Sequence, residues 1–195
     1  MAVVNPKVDG GKPFDWGKAS ADYAKYRDIY PEMFYRQILD AGLCVQGQTV
    51  LDLGTGTGVL PRNLYRYGAQ FVGIDLSPEQ IEQARRLAKQ AGMQIDFFAC
   101  PAESVDFPDH TFDVVTACQC FFYFDAKKLL PNLRRMLRPG GRLAILYMAW
   151  LPGEDPIARA SEQLVLRYNP SWSGGGETRH SIELPPETEM YFTVE

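Results

Sequence analysis

From residue 49 onward, short apolar runs alternate with stretches whose apolar residues recur at helical spacing. The runs predict strands at 49–53, 71–74, 95–99, 112–117 and 142–148. The stretches between them predict helices at 60–67, 78–90 and 127–137. Strands that alternate with helices in this way favour an α/β fold with a doubly wound, mostly parallel sheet and helices on both faces.

The segments on either side of this core have different patterns. Residues 18–42 carry two helical patterns separated by Pro31, and they predict a helical N-terminal cap. After residue 150 the order is lost, and only a helix at 156–168 and an edge strand at 190–194 are predicted. The expected organisation is a flexible tail at 1–13, a cap or lid at 14–48, a core at 49–150 and an irregular acceptor-side region at 151–195.

Composition and charge exclude several classes of protein. The 195 residues are 46% hydrophobic and carry a net charge of −4, which suits one soluble domain and disfavours binding to nucleic acid. The chain begins without a secretory pattern and has no apolar stretch long enough to span a membrane. The four cysteines have neither disulfide nor zinc spacing, so we expect free thiols, no metal and a cytoplasmic location.

The strongest chemical signal is a glycine-rich loop between the first strand and the next helix. It reads Asp52-Leu53-Gly54-Thr55-Gly56-Thr57-Gly58. Glycines let the backbone approach a ligand, and a helix N-terminus offers free N–H groups. A tight turn without a ligand is the structural alternative. The loop is expected at the carboxyl end of the strand, where ligands bind in open α/β sheets.

Two acidic residues near this loop indicate the kind of ligand. Asp75 ends the second strand, where a carboxylate can accept hydrogen bonds from ribose hydroxyls, although helix capping or surface exposure are alternatives. The dinucleotide fingerprint requires a glycine at position 59, where this chain has Val59. Asp52, just before the loop, would repel a pyrophosphate. The pattern therefore favours a positively charged nucleoside without phosphate.

The chain resembles the class I S-adenosylmethionine-dependent methyltransferases, and within them the small-molecule branch related to ubiquinone biosynthesis. The resemblance rests on residues 50–58, on Gly73-Ile74-Asp75 and on residues 137–141, and it covers roughly 14–150. In that family an antiparallel strand pair usually follows the fifth strand. Since 151–195 offers one candidate strand, either the chain is a fragment or this end is unusual.

The resemblance implies roles for residues along the cofactor. The backbone of Gly54, Gly56 and Gly58 would pass beneath the methionine part of S-adenosylmethionine. Asp52 would orient the loop and the cofactor's amino group, and Asp75 would bind the ribose.

The adenine side departs from the family pattern. Leu76 would pack on the adenine, and Ala102 and Glu103 would frame it. Pro101 stands where the family usually has an aspartate, so that hydrogen bond to the adenine amine has no side chain to accept it.

The methionine end would be lined by Cys118 and Gln119, and a lid containing Tyr23 and Arg27 would cover it. An aromatic ring near a sulfonium contributes roughly 0.5–2 kcal/mol. Arg27 would pair with the methionine carboxylate, while a position on the surface is the alternative for Arg27 and core packing is the alternative for Tyr23.

The sequence does not identify a catalytic base. Tyr123, Tyr147 and His180 are the candidates, and Tyr123 is also the expected acceptor-side contact. The predicted activity is methyl transfer from S-adenosylmethionine to an unidentified small-molecule acceptor. Two alternatives stay open, a non-catalytic S-adenosylmethionine-binding module and a nicotinamide-dependent oxidoreductase. The sequence does not indicate the oligomeric state.

Overall fold

The computed structural model describes residues 15–27, 30–149, 151–170 and 183–195. The predicted tail at 1–13 and the candidate base His180 lie outside these residues. The chain divides into two compact units. One comprises Trp16–Leu146 and Pro185–Glu195, and Tyr147–Leu184 belongs to the other.

The first unit contains a five-stranded parallel sheet in the order β3-β2-β1-β4-β5. The strands are β1 (Thr49–Leu53), β2 (Gln70–Asp75), β3 (Asp96–Ala99), β4 (Phe112–Cys118) and β5 (Leu137–Leu146). This confirms the predicted doubly wound sheet. The strand order reverses between β1 and β4, so the carboxyl ends of these two strands flank the crevice in which such sheets bind ligands.

The helices confirm the alternating pattern and the N-terminal cap. They are α1 (Ser20–Tyr26), α2 (Glu32–Asp40), α3 (Val59–Leu64), α4 (Pro78–Gln90), α5 (Ala126–Met136) and α6 (Pro156–Tyr168). α6 belongs to the second unit, and its N-terminus is capped by Asp155, which accepts hydrogen bonds from the N–H groups of Ile157 and Ala158.

Alternate strand residues face opposite sides of the sheet and build two cores. On one side Val50 and Val114 pack with α2 and α3, and Phe97 of β3 packs with α4. On the other side Leu51 and Val115 pack against α5. Asp52 has the same parity as Val50, so it lies on the α2–α3–α4 side.

Two predicted strands differ from the structure. β5 begins at Leu137 rather than at 142, because Leu137 pairs with Phe112 before an irregularity in the register, and the pairing resumes at Arg142. The predicted edge strand at 190–194 does not form. Instead Pro186–Met190 is a 3₁₀ turn against α5, with Thr188 buried.

Candidate functional site

The glycine loop after β1 adopts a backbone that side chains rarely permit. Gly54, Gly56 and Gly58 have φ angles of +58°, +57° and +73°, all in the left-handed region. The loop is anchored to β2 by the Thr55 N–H, which donates to the carbonyl of Ile74 at 2.8 Å. The backbone conformation at these three positions therefore favours glycine.

The three glycines face different surroundings. A Cβ on Gly54 would lie 2.8 Å from the Cys120 sulfur, and one on Gly58 would lie 2.8 Å from the Phe97 ring. At Gly56 the nearest atom, on the Tyr23 ring, is 4.0 Å from the Cβ position. Gly54 and Gly58 therefore let neighbouring side chains pack closely, while Gly56 keeps its backbone open.

Phe97 is the support beneath the loop. Its ring would lie 2.7 Å from a Cβ on Gly73 of β2 and 2.8 Å from one on Gly58. The ring is buried together with Ala84 of α4. The missing side chain at position 73 gives the ring its room, so Gly73 shapes the loop from below.

Asp75 points toward the glycine loop. Its carboxylate accepts hydrogen bonds from the N–H of Gly56 at 2.9 Å and from the N–H of Ser77 at 2.8 Å. Burial raises the pKa of Asp75, and these two bonds counteract the increase. Ser77 also caps α4 by accepting from the Gln80 N–H. Each oxygen of a carboxylate can accept a second bond, so Asp75 retains capacity for hydroxyl donors.

Asp52 lies beneath the loop and is only 2% exposed. The Thr116 hydroxyl donates to it at 2.6 Å. Burial raises the pKa of Asp52 to about 6, while hydrogen bonding with Thr116 counteracts the increase. At pH 7 the carboxylate is therefore mainly ionised. Because Asp52 is buried, its negative charge acts on a ligand through the electric field in the site and not through direct contact.

The loop also holds two buried hydroxyls. Thr55 and Thr57 lie between the glycines and are 6% and 1% exposed. The Thr55 hydroxyl interacts with Asp52 and lowers the pKa of that carboxyl. Within the described part of the chain, the Thr57 hydroxyl has no hydrogen-bond partner. An unpartnered buried hydroxyl is costly, so its place in this loop is consistent with a binding site.

The N-terminal cap brings Tyr23 and Arg27 to the loop. The Tyr23 ring lies beside Gly56, and the Arg27 Nε donates to the Tyr23 hydroxyl at 3.2 Å. Tyr30, a residue that sequence reasoning did not assign to the site, accepts a hydrogen bond from the Cys118 thiol at 3.4 Å. Burial is the main reason why the pKa of Cys118 is raised to about 12, so this thiol stays protonated.

The segment after β4 turns sharply at Gln119. This residue has a φ of +63°, uncommon for a residue with a side chain, and its N–H donates to the carbonyl of Leu146. The next residue, Cys120, donates its thiol to the carbonyl of Leu53 at 3.1 Å. The structure thus brings the end of β4, with Cys118 and Gln119, against the start of the glycine loop.

The predicted adenine side comprises Leu76, Ala102 and Glu103. Leu76 is half-buried beside Asp75, and Ala102 is buried at the start of a 3₁₀ turn. The Glu103 carboxylate accepts the N–H of Asp125 at 2.8 Å, so one of its oxygens supports the segment before α5. A role for these residues in holding adenine stays a prediction.

The acceptor-side candidates are exposed. In the turn after β4, Phe121 and Phe124 pack edge to face, whereas Phe122 and Tyr123 are 47% and 38% exposed. Tyr147 belongs to the second unit and is also exposed. Among the residues that the structure covers, no group of three or more His, Cys, Asp or Glu side chains could hold a metal ion.

Three contributors to the site were missed by sequence reasoning: Thr116, Tyr30 and Phe97. Thr116 could have been found from the pairing of β1 with β4, which sets it opposite Asp52. Tyr30 and Phe97 act through contacts made across the fold, and no local signal marks them. Across the described ranges, no helix is both long enough and apolar enough to cross a bilayer.

Comparison with known proteins gives one consistent result. A family model described as "Methyltransferase domain" matches residues 51–145. The demethylmenaquinone methyltransferase of Thermus thermophilus is 40% identical over 114 residues, which are 57% of this chain and 52% of that protein. The ubiquinone biosynthesis O-methyltransferase of Cereibacter sphaeroides is 32% identical over 68% of this chain and 54% of its own length.

The chain thus spans about half the length of the curated relatives that it matches. Among solved structures, a SAM-dependent methyltransferase of Aquifex aeolicus superimposes with a TM-score of 0.59 at 23% identity. That match covers 80% of this chain and 88% of the other. At this identity the likeness establishes the fold.

Proposed function

We infer that this chain transfers a methyl group from S-adenosylmethionine to a small-molecule acceptor, because it belongs to the class I S-adenosylmethionine-dependent methyltransferases. The observation that carries the inference is the left-handed glycine loop with Asp75 bonded to its middle amide. Such a loop binds a ligand through its backbone, and the acids around it favour a cation.

The loop fits the cofactor on three observations. The backbone at Gly56 is open where a Cβ would stand, so a ligand can approach it closely. The buried hydroxyl of Thr57 lacks a partner within the described residues. Asp52, buried and mainly ionised at pH 7, contributes a negative field that attracts a sulfonium and repels a diphosphate.

In this proposal the cofactor supplies the reactive methyl group, and the protein binds and positions it. When bound, S-adenosylmethionine supplies a methyl group that is already activated by the positive sulfur. Gly54, Gly56 and Gly58 would hold its amino-acid part, and Asp75 would hold the ribose. The protein then has to align acceptor and donor, and such positioning can supply roughly 7–11 kcal/mol of the barrier. Cys118 and Gln119, at the end of β4, would line the methionine end.

The acceptor side is the less determined half of the proposal. Exposed Phe122 and Tyr123 offer aromatic surface next to the crevice, which suits an acceptor with a flat apolar ring. The names of two relatives, which refer to demethylmenaquinone and ubiquinone biosynthesis, support the same class. Tyr123, Tyr147 and His180 stay the candidates for a base, which an acceptor with a bound proton would require.

The proposed function also includes a cellular location and a class of partner. A cytoplasmic location is supported by the four cysteines, which are all free. Nucleic acid is not proposed as a partner, because the net charge of −4 opposes binding to a phosphate backbone.

Calorimetric titration with S-adenosylmethionine and with NAD tests the cofactor. We expect micromolar binding of the first and none of the second, and binding of NAD alone would overturn the proposal. Transfer of a labelled methyl group to a metabolite extract then tests catalysis. Binding without transfer to any component would instead support a non-catalytic binding module.

A further inference from the structure

Four residues form a continuous chain of contacts above the glycine loop. The Tyr23 ring lies 4.0 Å from the Cβ position of Gly56, and the Arg27 Nε donates to the Tyr23 hydroxyl at 3.2 Å. The Arg27 guanidinium lies 5.8 Å from the centre of the Tyr23 ring and 5.9 Å from that of Tyr30. The Tyr30 hydroxyl accepts from Cys118 at 3.4 Å. We call Tyr23, Arg27, Tyr30 and Cys118 the arch.

The arch connects the two strands at which the sheet order reverses. It starts beside Gly56, in the loop that follows β1, and it ends on Cys118, the last residue of β4. β1 and β4 are neighbours in the sheet, so the arch lies over the crevice between their carboxyl ends. A ligand in the loop would have the arch as its roof.

The roof and the floor of this crevice carry opposite charges. Asp52 and Asp75 lie under and beside the loop. Arg27, in the roof, is held by a phenol oxygen and two aromatic rings, which orient its guanidinium without cancelling its charge. A ligand end that carries both an ammonium and a carboxylate is complementary to this arrangement.

Tyr30 is the member that fixes the arch to the sheet. Its ring stacks on Phe34 of α2 with centroids 4.7 Å apart and meets Tyr35 edge-on at 6.3 Å. Burial raises its pKa, so the phenol stays neutral and acts through hydrogen bonding. The bond to Cys118 links Tyr30, and through its ring the Arg27 guanidinium, to the end of β4.

We propose that Tyr30, through its hydrogen bond with Cys118, is a positioning residue that holds Arg27 over the crevice and makes the site selective for ligands with an α-carboxylate. The inference rests on the proposed function, because it concerns the amino-acid end of S-adenosylmethionine. Decarboxylated S-adenosylmethionine keeps the nucleoside, the sulfonium and the amine and lacks only that carboxylate. The structure predicts that the two compounds bind with different affinities.

The test compares dissociation constants of both compounds for the full chain and for Tyr30→Phe, which preserves ring packing. We expect the variant to bind S-adenosylmethionine roughly 3- to 10-fold more weakly, as for one lost hydrogen bond, and decarboxylated S-adenosylmethionine within about twofold of wild type. Cys118→Ala should produce the same selective loss, and the double variant should lose no more than either single one. Tyr26→Phe is the matched control, since Tyr26 is 65% exposed on the same cap and should change neither constant.

The outcomes separate this inference from the proposed function. If Tyr30→Phe weakens both compounds equally, or neither, the positioning role is wrong while the cofactor assignment stands. A lower Tm together with equal weakening would mark Tyr30 as structural only. If the wild-type chain binds neither compound, the proposed function itself fails, and the inference fails with it.

Discussion

Thr116 donates a 2.6 Å hydrogen bond to Asp52 inside the protein, between residues that are 64 positions apart in sequence. Both side chains are almost fully removed from solvent, and the two residues are paired in the parallel register of β1 and β4. A buried carboxylate is sensitive to the loss of a hydrogen-bond donor and to pH.

Replacing Thr116 with Val removes the donor while preserving the shape of the side chain. We expect the free energy of unfolding at pH 7 to fall by about 1.5–3 kcal/mol, the usual contribution of a hydrogen bond to a charged group. The loss should be smaller at pH 4.5, where Asp52 is mostly protonated. Urea unfolding at the two pH values measures both effects. Equal losses at both would show that the bond does not depend on the carboxylate charge.

Replacing Asp52 with Asn should change how stability depends on pH. The folded pKa of about 6 exceeds the ordinary pKa of 3.8 for this side chain, so the folded state binds more protons between these pH values. The wild-type free energy of unfolding should therefore fall as pH rises from about 4 to 6, by up to about 3 kcal/mol. Asp52→Asn should lack this decrease. Parallel pH curves for the two proteins would contradict the assignment.

Alanine substitutions at Gly56 and Gly58 should differ in their effects on stability and on binding. Gly56→Ala meets no close neighbour, so we expect a stability loss of roughly 1–2 kcal/mol from the left-handed backbone alone. Binding of S-adenosylmethionine should be strongly reduced, because the new methyl group occupies the open backbone. Gly58→Ala should destabilise the fold more, since its methyl group would overlap Phe97. Thermal unfolding and titration together separate the two. A larger Tm loss at Gly56 would contradict the geometry.

Removing the Asp75 carboxylate should weaken binding of the cofactor. Asp75→Ala deprives the Gly56 and Ser77 amides of their acceptor and removes the expected ribose contact. We expect the dissociation constant for S-adenosylhomocysteine to rise at least about tenfold, from the loss of hydrogen bonds to a charged group. Asp96→Ala, an exposed acid on the neighbouring strand, serves as the control and should leave the constant unchanged. Unchanged binding in Asp75→Ala would exclude the carboxylate from the site.

Local pattern was sufficient to predict the loop and the sheet. The glycines from 54 to 58, placed between an apolar run and a helical one, predicted a loop at the carboxyl end of β1 whose backbone a ligand can approach. The alternation of elements led to the parallel sheet. Both features depend on short-range rules, such as the freedom of glycine to adopt positive φ and the periods of strands and helices.

Contacts between segments that are distant in the chain could not be predicted from the sequence. The Thr116–Asp52 and Cys118–Tyr30 pairs depend on strand register and on the docking of the cap, which no single segment encodes. The start of β5 was misplaced because Pro139 and two glycines resemble a turn, although Leu137 already pairs with β4. The edge strand at 190–194 does not form, because the 3₁₀ turn that packs on α5 extends to Met190 and the residues after it adopt no regular structure.

Because Gly73 has no side chain, substitutions at this position should affect ligand binding indirectly, through the packing under the loop. A methyl group at that position would overlap both the Phe97 ring and the Thr55 hydroxyl. Displacing the ring would disturb Gly58 and with it the path of the loop. A random library selected for loss of ligand would thus recover substitutions at position 73 alongside those of true contact residues. The binding site inferred from such a library would include residues that lie behind the loop and do not contact the ligand.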